Sequence, residues 1–336
     1  MYDRKENEKV TFIKSKLENM KFLIKRLIRY VFYFLPEGVK KKISEDREKK
    51  NLIEAHKRAK RTKVSKEEVA NIINCLAIGN CDIMLHTSMI SIGKIQGGVA
   101  WITKCLLEKA DIINNTILVS ALPYSGRFKD YLEKCDVFDV RTAPIEMGGV
   151  NEFIGSLPDA KRSLHPTHSI VAVGKDAQKY VCGHYLDKTP FGENSPYFKI
   201  IKNRGKAVMF GISWEHLTCI HAIEDMLGSV YPEKIYLSKT YTIKCINEKG
   251  ESIDVETTCH NPLLSCIRNL SPLTPKLLKE GIMTAIPIGE SKVAIIDLYK
   301  FTLFYLNEIE HGRSIYGRLR VSKELKQKIS EIRLKL

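Results

Sequence analysis

The chain has 336 residues, 44% of them hydrophobic, enough to bury a substantial core and to exclude disorder. Its net charge of +15 is uneven: residues 1–66 carry 21 Lys and Arg against 9 Asp and Glu, and the remainder 33 against 30. The larger part is therefore close to neutral, which argues against nucleic acid as a partner, because a nucleic-acid-binding domain carries the positive patch itself.

Residues 1–65 read as a basic, partly helical arm. In the stretch 12–42, Lys21, Lys25 and Arg29 recur at i, i+4, i+8 on one helical face, with Phe22, Leu23, Leu27, Tyr30, Val31 and Phe34 over much of the rest. Pro36 and Gly38 are expected to end that helix. Its uncharged run, 30–36, is too short to span a bilayer. Two readings stay open: a helix lying on an anionic membrane surface, or an arm packed on protein. A second basic stretch leads to Ser65 and Glu68, an S-x-x-E capping box that opens the body at 66–336.

From there strands and helices alternate. A helix over 66–76 precedes an apolar strand at 82–89, a glycine turn at 93–98 and a helix over 99–110. Strands follow at 116–123, 169–174 and 207–213, then a helix over 216–227. This order predicts an α/β fold with a largely parallel, covered sheet, whose functional residues lie beyond the carboxyl ends of the strands. After about residue 231 an alternating pattern with the turn NEKGE predicts a smaller antiparallel section over about 231–300. A charged helix closes the chain at about 321–336. Nine cysteines without a CxxC pair, and no leader-cleavage pattern, fit free thiols in a reducing cytoplasm.

Several residues carry candidate chemistry. Gly97 and Gly98, before a helix and near Thr87 and Ser88, form either a phosphate cradle or an ordinary strand-to-helix turn. His165 is held in extended geometry by Pro166; it is either a base for an amine or hydroxyl or a capped loop histidine. Glu193, in the loop TPFGENSPYFKI, is either a solvated acid or a carboxylate facing a pocket. His221 and Glu224 share a helix face at i, i+3. With no H-E-x-x-H and no metal spacing in CHNPLLSC, no metal is assigned. Without G-x-S-x-G, a serine hydrolase is disfavoured.

The order of the motifs is more specific than any one of them. HTSMISIGKIQGG, TILVSALPYSG, FDVRTAPIEMGGVNEFIGSLPDAKRSLHPTHSIVAVGKDA, PFGENSPYFKI and GISWEHLTCIHAIED resemble, over about 66–300, the aminoglycoside 3-N-acetyltransferase family. The resemblance implies a three-layer α/β/α fold and transfer of an acetyl group from acetyl-CoA to an amine. It implies His165 as the base, since H-P-x-x-S is matched by His165, Pro166 and Ser169, with Glu193, Glu224 and His221 in the catalytic set. His86, Thr87, Ser88, Gly97, Gly98, Val99 and Ser120 fall in the coenzyme region, and His168, Thr142 and Glu146 toward the acceptor. Near-neutral charge and the basic arm point to an amino sugar of surface-polysaccharide assembly, nucleotide- or lipid-linked and acetylated near the inner membrane face. The alternatives are a true aminoglycoside-resistance enzyme and a non-catalytic binding protein on the same fold. The sequence leaves the oligomeric state open.

Overall fold

Proline placement sets the first helix boundary. The computed structural model describes residues 34–336 together with 24, 27, 28, 31 and 32. The helix expected over 12–42 therefore falls largely outside the described residues. Pro36, extended at φ −56° and ψ 146°, precedes α1 (Glu37–Arg61). Gly38 thus sits in the first turn of a new helix rather than ending an old one. Arg58, Arg61 and Thr62, at the end of α1, converge on the carboxylate of Glu290, with Arg61 Nε at 2.7 Å. The Arg61 hydrogen bond holds that carboxyl at about 2, well below the usual range. Next, β1 (Lys63–Val64) lies parallel to β3 (Lys94–Ile95).

Ser65 caps α2 (Lys66–Cys75), accepting the Glu68 N–H at 3.1 Å as its capping box requires. The chain continues through β2 (Ile83–Thr87), α3 (Gly98–Ala110), β4 (Thr116–Ser120), α4 (Phe128–Leu132), β5 (Val137–Asp139), α5 (Gly149–Gly155), β6 (Lys161–Arg162), β7 (Ile170–Gly174) and α6 (Ala177–Val181). Then come α7 (Pro196–Lys202), β8 (Lys206–Phe210), α8 (Ile220–Leu227), β9 (Tyr236–Ile246), β10 (Ser252–His260), α9 (Pro262–Ile267) and α10 (Thr274–Lys279). The last elements are β11 (Met283–Ile288), β12 (Ser291–Asp297), α11 (Leu298–Glu310), a short hairpin β13 (Arg313–Ser314) and β14 (Gly317–Arg318), and α12 (Lys323–Lys335).

The seven-stranded sheet has the order β11-β12-β8-β2-β4-β7-β6. Its centre, β8-β2-β4, is parallel; β7 and β6 on one side and β12 and β11 on the other pair antiparallel. Successive side chains of a strand face opposite layers. Ile83, Leu85, Ile117, Val119, Val208 and Phe210 pack with α2, α3 and α5. Met84, Leu118, Ala207 and Met209 pack with the layer of α7, α8, α11 and α12. That is the three-layer α/β/α arrangement. The expected C-terminal antiparallel section is two hairpins. One, β9-β10, joins β5 in a separate three-stranded sheet, β10-β9-β5; the other, β11-β12, extends the main sheet at its edge.

Among the described residues no helix is long and apolar enough to cross a membrane. All nine cysteines are free.

Candidate active site

The parallel centre sends the carboxyl ends of β2 and β4 to one edge of the sheet, the usual place for a ligand in open α/β sheets. Because β7 runs antiparallel to β4, its start lies at that edge too, with Ile170 opposite Ser120. The residues expected for the coenzyme gather here. Thr87, at the end of β2, donates to Asn151 Oδ1 at 3.4 Å, and Asn151 Nδ2 donates to the Ser120 carbonyl at 2.7 Å. Ser88 Oγ is 2.7 Å from Ser91 Oγ. His86 is buried, its Nε2 has no hydrogen-bond partner among the described residues, and burial lowers its pKa to about 4.

Gly97 and Gly98 have φ of +94° and +68°, and no side chain caps α3. Among the described residues the first amides of α3 thus have no side-chain acceptor, and its first turn holds no acid. A Cβ at Gly97 would sit 2.8 Å from Lys66 and 2.9 Å from the Trp101 ring, whereas Gly98 faces open space. Val99 packs against Gly149, where a Cβ would lie 3.3 Å away. Uncapped amides, an open glycine face and a nearby lysine fit an anionic group such as a pyrophosphate.

The corner 163–169 follows β6 directly. Ser163 N–H donates to the Ile170 carbonyl, and Ser163 Oγ accepts Ile170 N–H, both at 2.8 Å. Arg162 fastens the outside of the corner. Its guanidinium donates to the carbonyls of Ala121, Ala143 and Pro144 and to Ser169 Oγ. Burial lowers its pKa to about 10.

Inside the corner the two histidines have different fates. His165 is fully buried. Its Nδ1 accepts His168 N–H at 3.1 Å and Thr167 N–H at 3.4 Å, its Nε2 lies 3.4 Å from Thr257 Oγ1, and its ring stacks on His184 at 4.5 Å. Among the described residues no carboxylate is hydrogen-bonded to it; Glu193 and Glu224, placed with it in the catalytic set by the resemblance, stand elsewhere. His168 is half-buried between the edges of Phe128 and Phe191, each ring centroid 4.9 Å away. Its Nδ1 lies 3.0 Å from Thr167 Oγ1, and its Nε2 has no protein partner among the described residues. Burial pushes both imidazoles well below the usual histidine pKa, with neighbouring histidines adding to it, so both are neutral at pH 7.

His221 and Glu224 do meet on α8: Nδ1 is 2.7 Å from Glu224 Oε2. On the other side of the ring, Arg268 Nη1 stands 3.1 Å from Nε2. Arginine only donates, so Nε2 holds a lone pair and Nδ1 donates to the carboxylate. Burial raises the Glu224 pKa and lowers that of His221. His260, at the end of β10, completes a group of three possible ligand atoms within 4.8 Å of one another. Coordination through His221 Nδ1 would move the ring proton to Nε2, where it would face the Arg268 donor. The outer contact thus opposes a cation, since a metal-bound histidine needs an acceptor there.

Beyond Phe191 opens a cavity of about 590 Å³. Its wall carries the carboxylates of Glu193, Glu224, Asp225 and Glu233, with Lys234 as a cation. Glu193 is exposed on its loop. Asp225 is held by hydroxyl donors, Tyr236 at 2.6 Å and Thr189, and burial raises its pKa to about 7. Thr142 and Glu146 lie exposed between β5 and α5, and no hydrogen bond among the described residues ties either side chain to the histidines. Their main-chain N–H groups bond Asp139 and Leu122.

Arg162, His184, His260, Arg268 and Asp225 were not singled out from sequence. Arg162 sits inside the quoted KRSLHPTHS motif and was readable there. His260 and Arg268 arrive from the hairpin and the helix after it, with no local pattern to mark them.

The family model described as aminoglycoside 3-N-acetyltransferase matches residues 84–309. A Salmonella protein named aminoglycoside N(3)-acetyltransferase III is 27% identical over 199 residues, covering 56% of this chain and 68% of that protein. The solved structure of AAC-IIIb binary with CoASH superposes with a TM-score of 0.60 at 21% identity, covering 74% of this chain and 97% of the other. The YokD protein of Bacillus subtilis does so with 0.59 at 20% identity, covering 75% and 96%. A match over most of the body, with the strand-end site and the ordered motifs in place, makes this chain an acyltransferase that belongs to the aminoglycoside 3-N-acetyltransferase family.

Proposed function

We propose that the protein transfers the acetyl group of acetyl-CoA to an amine of a polycationic, aminoglycoside-type acceptor, with His168 as general base. The observation that carries the acceptor class is the cavity wall, where Glu193, Glu224, Asp225 and Glu233 stand beside the partition formed by Phe191. Such a wall attracts ammonium groups, the more so because an approaching cation favours the charged forms of Glu224 and Asp225, whose pKa values burial raises to about 7, and it disfavours the phosphates of a nucleotide- or lipid-linked sugar. The amino-sugar reading drawn from overall charge therefore gives way to its alternative. Overall charge averages over the whole surface, whereas the cavity lining holds four acids against one lysine.

Acetyl-CoA brings the acetyl group as a thioester. Thr87, Ser88, the amides of Gly98 and Val99, and Lys66 would hold its anionic part. The acceptor ammonium first gives one proton to solvent; His168 Nε2 then takes a second proton from the amine as its nitrogen forms the C–N bond and the C–S bond breaks, and the imidazolium passes that proton to the leaving thiolate, so that a neutral amide and a thiol result. A positioned base of this kind contributes roughly 10²–10⁴-fold. Full burial with both nitrogens engaged gives His165 a positioning role in place of the base role expected for it.

The test is thiol release from acetyl-CoA with two acceptor sets, 2-deoxystreptamine aminoglycosides and nucleotide-linked amino sugars. Turnover is expected with the first set, and His168→Ala should lower kcat by about 10²-fold or more. Turnover confined to the nucleotide-linked sugars would overturn the acceptor class. An unchanged kcat in His168→Ala would overturn the base.

A further inference from the structure

The Thr167 hydroxyl stands between the two histidines, 3.3 Å from His165 Nδ1 and 3.0 Å from His168 Nδ1. It has one proton to give. His165 Nδ1 already accepts two main-chain N–H groups, so it carries a lone pair, and its ring proton is on Nε2 toward Thr257 Oγ1. If Thr167 donated to His168, its oxygen lone pairs would face the His165 lone pair across 3.3 Å in a buried corner. If it donates to His165, the Nδ1 lone pair is shared among three donors and no two lone pairs face each other: His168 Nδ1–H donates to Thr167 Oγ1, and His168 Nε2 is left with its lone pair.

We propose that Thr167 and His165 act together as a positioning pair that fixes His168 in the Nδ1–H tautomer, so that its Nε2 presents a lone pair to the acceptor amine. The inference rests on His168 being the base. The direction of the chain is set by backbone donors: the amides of residues 167 and 168 both point at His165 Nδ1, and an amide N–H cannot turn into an acceptor. The far side is equally fixed. His184 stacks on His165 with an interplanar angle of 22°, accepting from Ser163 Oγ at 2.9 Å and donating Nε2–H to the Pro190 carbonyl at 3.0 Å. The Ser163 hydroxyl can donate there because its oxygen is already an acceptor for Ile170 N–H. His165 has no room to flip its ring and exchange its nitrogens. The same geometry serves the second half of the reaction, because Thr167 Oγ1 still accepts from Nδ1–H when His168 becomes an imidazolium.

Uniformly ¹⁵N-histidine-labelled full-length protein tests the tautomer directly through long-range ¹H–¹⁵N correlations at pH 7.5. The wild type is expected to show His168 protonated at Nδ1 and His165 at Nε2. Thr167→Val, which keeps the shape and removes the hydroxyl, should shift His168 toward the Nε2–H form. It should also lower kcat by roughly tenfold or more, a part of the general-base factor, with both KM values held within about twofold. Thr167→Ser should restore the tautomer and most of kcat. Wild-type His168 protonated at Nε2 overturns the proposal, as does a Thr167→Val enzyme with wild-type kcat. Should Thr167→Val fail to fold, the wild-type and Thr167→Ser spectra still decide. Failure of the underlying reading looks different: His168→Ala would keep its kcat whatever tautomer the spectra show.

Discussion

His184 offers a direct measure of how far this corner resists acid. Its ring is fully buried, and burial lowers its pKa to about 3. In the unfolded chain the value is about 6.5. Above pH 6.5 both states are neutral and the group contributes nothing to the pH dependence. Below 6.5 the unfolded chain binds a proton that the folded ring refuses until about pH 3. Stability is thus complete above the unfolded pKa and falls by about 1.4 kcal/mol per pH unit through that window. At pH 5 this one ring should cost about 2 kcal/mol, a large fraction of the usual 5–15 kcal/mol. Urea unfolding at pH 7.5 and 5.0, for wild type and His184→Gln, isolates the effect. The variant loses stability at both pH values because Ser163 and Pro190 lose their partner. The gap between the two pH values should shrink by about 2 kcal/mol relative to wild type. An identical gap in both proteins would refute the reasoning, since it would mean that the buried ring takes up its proton as easily as the unfolded one.

Three further perturbations address other parts of the molecule. Asp225→Asn, assayed at pH 8.5 where the carboxyl is ionised, removes one cavity charge and keeps one of the two accepted hydroxyl bonds, from Tyr236 or Thr189; it should raise KM for a polycationic acceptor about tenfold and leave KM for acetyl-CoA unchanged, read by thiol release. Gly97→Ala places a Cβ against Lys66 and the Trp101 ring in a left-handed backbone. It should cost about 1–3 kcal/mol in urea unfolding and weaken acetyl-CoA binding by calorimetry, whereas Gly98→Ala, into open space, should carry the backbone part alone. Glu290→Ala removes the shared partner of Arg58, Arg61 and Thr62, so limited proteolysis should cut within α1 faster while kcat with a small amine stays at the wild-type value.

The sequence was most legible where periodicity is strong. The core strands and the helices α2, α3 and α8 fall within a few residues of their expected bounds, because each strand is a largely apolar run and α2 carries its expected side-chain cap at Ser65. The hairpin β11-β12 was not resolved as a separate unit. Pro287 breaks the strand pattern there, and a proline is tolerated because β11 is an edge strand. At the site, the motif located the corner but not the orientation within it. Pro166 and the H-P-x-x-S register single out His165. The turn after Pro166 then swings the chain so that His168, three residues on, takes the half-buried position, and no one-dimensional pattern reports that rotation. The acidic cavity was illegible for another reason. Glu193, Asp225 and Glu233 belong to separate loops and a helix, and they become one charged wall only when α8 packs beside the loop that precedes α7.

The pairing of β6 with β7 has a consequence for how the site is assembled. Residues 163–169 are the loop of a hairpin whose stems form the last two strands of the main sheet, with Arg162 opposite Val171. The two histidines, the threonine between them and the arginine outside them are thus delivered by one local unit that needs little loop closure to form. Thr257 reaches it from distant sequence, while His260 and Arg268 gather at the neighbouring His221. The corner is thus local in sequence, whereas the cavity wall is assembled from the loop before α7, from α8 and from the segment that follows α8, so a change in amine selectivity can come from segments that leave the corner intact.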